Sequence, residues 1–156
     1  MKIGIIGPES SGKSALARYL AKRYDGIYVP EYAREYVEQK GSLEVTYDEL
    51  CEIAHHQIEE MNSFNPPVSA VYFFDTELIV TKVWFDYAFG QVPEWLEKAI
   101  EQYPMDTYLL TYPDLPWTQD GARYNGSDEM RMKLFNRYED EIQALDIPYY
   151  IIKHTN

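Results

Sequence analysis

The chain has 156 residues, a single cysteine and a formal net charge of −12. That length suits one domain around one core, and the lone Cys51 excludes an intrachain disulfide and reads as a small hydrophobe buried on a helix. The acidic balance excludes nucleic acid as an expected partner, because a phosphate backbone needs a basic footprint.

Hydrophobic residues make up 46% of the chain, too many for a disordered segment. No stretch approaches the roughly 20 apolar residues that span a bilayer, and the apolar run at the N-terminus is too short for a signal peptide. A cytoplasmic protein with no membrane partner is expected.

Strand and helix signals alternate along the chain. Lys2–Ile6 is an apolar run stopped by Gly7. Residues 13–24 carry Ala15, Leu16, Tyr19, Leu20 and Tyr24 at helical spacing. Residues 26–29 read as a second strand ended by Pro30, and 31–39 as a helix. Thr46 and Glu49 have capping-box spacing ahead of Leu50, Ile53, Ala54 and Ile58, which predicts a helix over 47–61. Pro66 and Pro67 mark a loop.

A third strand follows at 70–74, then helices at Leu78–Phe89 and 93–102 separated by Gly90. Thr107–Thr111 is a fourth strand. Ser127, Asp128 and Glu129 open a helix to about residue 145, with the acids at its positive end, and 149–153 is a fifth strand. The pattern predicts one α/β domain over 1–156, a three-layer α/β/α fold with a five-stranded, mainly parallel sheet. Ligands of such sheets sit beyond the carboxyl ends of the strands.

Directly after the first strand stands Gly7-Pro8-Glu9-Ser10-Ser11-Gly12-Lys13-Ser14, a G-x-x-x-x-G-K-S phosphate loop with strand before and helix after. Gly7 and Gly12 permit backbone conformations a Cβ would block, so consecutive amides turn around a phosphate. The helix start adds unpaired N–H groups and its positive dipole end. Gly7, Glu9, Ser10, Ser11, Gly12, Lys13, Ser14 and Ala15 are therefore candidates for binding ATP. Lys13 reaches the β- and γ-phosphates, and the Ser14 hydroxyl is a ligand for Mg²⁺.

Asp75 follows the third strand, where a carboxylate holds the metal opposite Ser14 or caps the next helix with Thr76; the two roles are compatible. No guanine-specific N-K-x-D pattern is present. After the second strand, Glu31 is placed to take a proton from a substrate hydroxyl and Arg34 to hold the substrate or the phosphoryl group, unless both are simply solvated on a helix surface. After the fourth strand, residues 113–124 are rich in Trp, Asp and Arg and read as the start of a helical lid over about 113–137. There Arg123 is a candidate to neutralise charge on the moving phosphoryl group. Trp117 is either a flat face for a ring or an anchor for the loop. Arg131 and Arg137 read mainly as solvated helix residues.

With these residues placed, the chain resembles the ribosylnicotinamide kinase domain of NadR-like proteins, within the NAD-metabolism AAA/kinase-like P-loop group. The resemblance rests on GPESSGKS (7–14), VPEYAREY (29–36), FFDTELIVTKVWFDYAFG (73–90), VPEWLE (92–97) and YLLTYPDLPWTQDGARY (108–124). It implies ATP- and Mg²⁺-dependent phosphorylation of the 5′-hydroxyl of nicotinamide riboside, a P-loop kinase fold and a mobile lid. By position it implies Lys13, Ser14 and Asp75 for nucleotide and metal, with Glu31, Arg34, Trp117, Asp120 and Arg123 for substrate and lid. The DNA-binding module and adenylyltransferase domain of the full regulators have no counterpart here, so repression and adenylyl transfer are not expected of this chain. The alternatives are a kinase for another nucleoside or small metabolite, and a regulatory protein that hydrolyses ATP slowly or not at all.

Overall fold

The computed structural model describes residues 1–64, 70–118 and 126–154. In chain order the elements are β1 (Lys2–Ile6), α1 (Lys13–Arg23), β2 (Ile27–Val29), α2 (Tyr32–Lys40) and α3 (Tyr47–Ser63). They continue with β3 (Tyr72–Asp75), α4 (Leu78–Phe89), α5 (Glu94–Gln102), β4 (Thr107–Thr111), α6 (Asp128–Ala144) and β5 (Tyr149–Ile152). The five strands form one parallel sheet in the order β2-β3-β1-β4-β5. Among the described residues no helix is long and apolar enough to cross a membrane.

Local chemistry sets the helix ends. The capping box is formed at α3: Glu49 N–H donates to Thr46 Oγ1, and Thr46 N–H donates to the Glu49 carboxylate. Ser127 caps α6 by accepting from Met130 N–H. Gly41 and Gly90 end α2 and α4 in the left-handed conformation, at φ 75° and 60°.

The register decides where the site lies. Ile5 pairs with Asp75 and Ile6 with Leu110, so β1, β3 and β4 end level with one another. β1 sits between β3 and β4, where the connections change direction across the sheet. The chain leaving β1 therefore enters the crevice in which such sheets bind ligands. Alternation puts Ile5, Phe73 and Tyr28 on the α1 side, packed with Ala17 and Ala21. The larger core fills the opposite face, where Ile53, Leu78, Leu96, Leu134 and Ile142 are all nearly inaccessible.

Element boundaries differ from the sequence reading in informative ways. β3 runs on to include Asp75, because the parallel ladder with β1 extends that far. β2 begins after Gly26, whose backbone lies so near β3 that a Cβ would stand 2.7 Å from the Phe73 ring. Glu31 is the residue preceding α2 rather than its first turn. Residues 119–125, the middle of the expected lid, lie outside the described residues. From Asp128 onward the chain is α6, and Arg131, Leu134 and Phe135 are buried. One face of residues 128–137 thus packs onto the body of the domain.

α4 opens on a buried carboxylate. Glu77 Oε1 accepts from Ile79 N–H at 2.9 Å, and Tyr108 donates to the same side chain. Burial pushes the Glu77 carboxyl up to about 7, against the downward pull of these hydrogen bonds. Between its ordinary 4.5 and about 7 the folded protein holds a proton that the unfolded chain has released. Stability therefore falls as pH rises through that window. Glu77→Gln is expected to gain stability over the wild type as pH rises from about 5 to about 8, by on the order of 3 kcal/mol at the upper end. Urea unfolding of both proteins across that range checks it, and a difference independent of pH contradicts it.

Candidate active site

The phosphate loop is built from three unusual backbone positions. Gly7, Ser10 and Gly12 have φ of 152°, 56° and 83°. A Cβ on Gly7 would collide with Thr111 Oγ1 and stand 2.7 Å from the Thr111 carbonyl oxygen, so only glycine lets the loop leave β1 against β4. Ser11 is fully buried and locks this turn: its hydroxyl donates to Pro8 O at 2.6 Å and lies 2.6 Å from Thr111 Oγ1. Lys13 Nζ donates to Pro8 O at 2.8 Å, folding the ammonium over its own loop. α1 starts at Lys13 with no acidic residue in its first turn, which leaves its positive end to an anion. Ser14 is half-buried beside this turn and Ala15 is exposed.

Asp75 stands at the end of β3, next to β1. It is 1% exposed; its Oδ2 accepts from the Tyr28 hydroxyl at 2.9 Å, whereas its buried Oδ1 has no partner among the described residues. An orphaned carboxylate oxygen at this place is what a metal, or a metal-bound water, would satisfy. The donor set of Ser14 and Asp75 therefore fits Mg²⁺. No cluster of three metal-ligating acidic, histidine or cysteine side chains occurs among the described residues. Asp75 does not cap α4; Glu77 does. Tyr28 lies under the Arg18 guanidinium, 5.3 Å from ring centroid to Cζ. Its hydroxyl is pushed up to about 12 by burial and then by Asp75, so it stays a donor to that carboxylate.

Beside the loop opens a cleft of about 480 Å³ between α2, α3 and α4. Glu9, Glu31 and Glu44 line it with Arg34, Trp84 and Tyr87. Trp84 and Tyr87 meet edge to face at 5.5 Å on α4. Glu31 is half-buried, and Arg34 Nε lies 3.5 Å from its Oε2. Burial raises the Glu31 carboxyl above its ordinary range; Lys13 and Arg34 pull it down and Asp75 pushes it up. The structure thus brings Glu31 and Arg34 together beside the phosphate loop. Glu9 faces the cleft as well as belonging to the loop.

Residues 2–156 match the model of the AAA domain family. The chain belongs to this family. This AAA domain is 27% identical over 157 residues to the trifunctional NAD biosynthesis/regulator protein NadR of Escherichia coli strain K12, an alignment covering 99% of the chain and 38% of that relative. The chain therefore spans well under half of that relative's length. Two solved NadR structures are similar. One, in complex with NR, has a TM-score of 0.81 and 25% identity over 96% of this chain and 45% of its own. The other, with NAD and AMP-PNP, has a TM-score of 0.74 and 23% identity over 99% and 44%. Thymidylate kinase from Ehrlichia chaffeensis shares the fold, with a TM-score of 0.68 at 15% identity over 100% of this chain and 88% of its own. The resemblance read from the sequence holds, and the AAA domain has the architecture of P-loop kinases.

Among the remaining residues read from the sequence, Arg131 is placed differently. Trp117 does not line the cleft; its ring lies on Gly126, where a Cβ would stand 2.5 Å from Cε2, so it pins the two ends of the 117–126 segment. Asp120 and Arg123 lie outside the described residues. Arg131, read as solvated, is 1% exposed and reaches the phosphate loop from behind. Arg137 is 38% exposed and pairs with Glu141 and Asp86.

Sequence reasoning missed Tyr28, Glu44, Trp84 and Tyr87. Only the aromatics at i and i+3 on α4 left a signal, since two large rings on one partly exposed face are unusual without a ligand.

Tyr28→Phe is expected to leave the fold intact and raise the Mg²⁺ concentration needed for AMP-PNP binding about tenfold or more, the worth of one hydrogen bond to a charged group. Calorimetric titration at graded Mg²⁺ measures this; an unchanged requirement shows that Asp75 needs no brace.

Proposed function

We propose that this protein is a kinase that transfers the γ-phosphoryl group of ATP to the 5′-hydroxyl of nicotinamide riboside, forming nicotinamide mononucleotide. The observation that carries this reading is an acidic, aromatic cleft opening beside the phosphate loop. Three carboxylates, Glu9, Glu31 and Glu44, line it against one guanidinium, Arg34, with Trp84 and Tyr87 alongside. The pyridinium ring of nicotinamide riboside carries a fixed positive charge, which carboxylates and the faces of aromatic rings attract. The likeness to NadR bound to NR supports the same occupant, and the likeness to NadR bound to AMP-PNP supports ATP as donor.

Each residue then has a task. Loop amides and Lys13 bind the β- and γ-phosphates. Ser14 and Asp75 would hold Mg²⁺, which when bound neutralises charge between those phosphates. Glu31 accepts the 5′-hydroxyl proton as the ribose oxygen bonds to the γ-phosphorus and the bond to ADP breaks. A carboxylate whose pKa is raised by burial is a better base for that step. Arg34 steadies Glu31. Asp120 and Arg123 are assigned by resemblance alone to the substrate and to the phosphoryl charge.

ATP consumption is expected to depend on added nicotinamide riboside, with the mononucleotide detected by mass spectrometry. Equal ATP consumption without the riboside overturns the kinase reading, and turnover with a different nucleoside in a substrate panel reassigns the acceptor. Glu31→Gln is expected to lower kcat by about 100-fold or more with little change in KM for ATP. In the wild type, activity is lost as pH falls through the Glu31 pKa, because the base must be ionised. This acid limb should lie above the ordinary carboxylate range and be absent from Glu31→Gln; a limb that persists unchanged assigns the base elsewhere.

A further inference from the structure

Arg131 takes no part in the scheme above, yet it is the largest fully buried side chain among the described residues. Its Nε donates to Glu9 O at 3.1 Å, and its Nη2 to Ser10 O at 3.3 Å and Leu115 O at 2.7 Å. Nη1 meets Asp128 Oδ1 at 3.3 Å. No cis peptide bond occurs among the described residues. In a trans peptide the N–H points opposite the carbonyl that shares its plane. With the carbonyls of Glu9 and Ser10 held by the guanidinium, the amides of Ser10 and Ser11 point away from it.

The geometry points to Arg131 as a positioning residue that pre-forms the phosphate cradle from behind. Ser10 lies at φ 56°, a conformation costly for any residue with a Cβ, and Arg131 bonds the carbonyls of the two peptide units around it. Of the described carboxylates only Asp128 pairs with it, and that side chain is 93% exposed, so water screens the pairing. A triphosphate entering on the far side is a better counter-charge for a buried cation. The same side chain grips Leu115 O, while the Ser10 hydroxyl accepts from Thr118 N–H at 3.0 Å. Leu115 and Thr118 are therefore tied to the cradle. This assignment rests on the proposed nucleotide binding and concerns its rigidity.

Calorimetry on the full chain with Mg²⁺·AMP-PNP, and steady-state KM for nicotinamide riboside, test it on wild type, Arg131→Met and Arg131→Lys. Arg131→Met is expected to weaken AMP-PNP about tenfold or more and shift the riboside KM less than about twofold, with Lys recovering part of the loss. A folded Arg131→Met protein with wild-type AMP-PNP affinity, or one that loses both ligands equally, overturns the assignment. If Arg131→Met does not fold, Arg131→Lys decides by the same criterion. Failure of the wild type itself to bind AMP-PNP overturns the nucleotide reading, and this assignment with it.

Discussion

The turn from β1 into α1 is the constraint on which the rest depends. The amides that follow Pro8 are the ones available to a phosphate, so the carbonyls of the turn have to be satisfied elsewhere. They are: Pro8 O by the Ser11 hydroxyl and Lys13, and Glu9 O and Ser10 O by Arg131. Thr111 closes the arrangement, its hydroxyl within hydrogen-bonding distance of Ser11 while donating to Ile6 O. The loop is held by β4 and α6 as much as by its own sequence. That is how a peptide with one strained serine stays formed.

Around this turn charge is divided by side. Lys13, Arg131 and the open end of α1 put positive potential at the cradle, and Glu9, Glu31 and Glu44 put negative potential in the adjoining cleft. The division suits the polyanion and the cation of the proposed reaction, which an overall charge of −12 would not do alone. Glu31 lies at the seam. Burial raises its pKa although Lys13 and Arg34 oppose the shift, and the result suits the base role proposed for it.

Much of the fold was legible because its signals are local. The phosphate loop, the Thr46–Glu49 capping box and the apolar runs of five strands depend on residues within a few positions of one another. The place of Asp75 at the end of an apolar run was legible, but that Glu77 and not Asp75 caps α4 was not. Tyr28 was not, since its partner Asp75 is 47 positions away. Trp117 showed two alternatives in sequence, a face for a ring or an anchor, and its contact with Gly126 appears only in the fold.

The sequence by itself determined the alternation of strands and helices, the anion-binding turn and the chemical types available beyond each strand. Periodicity, glycine placement and capping are properties of contiguous residues, and a chain carries them before it folds. Only the tertiary structure decided which of those residues meet. Arg131 reaches Glu9 across 122 positions and Ser11 meets Thr111 across 100. An arginine on a helix looks solvated until the packed sheet brings unpaired carbonyls to its guanidinium. The partners of buried polar groups are settled by desolvation, and desolvation exists only once the core has closed.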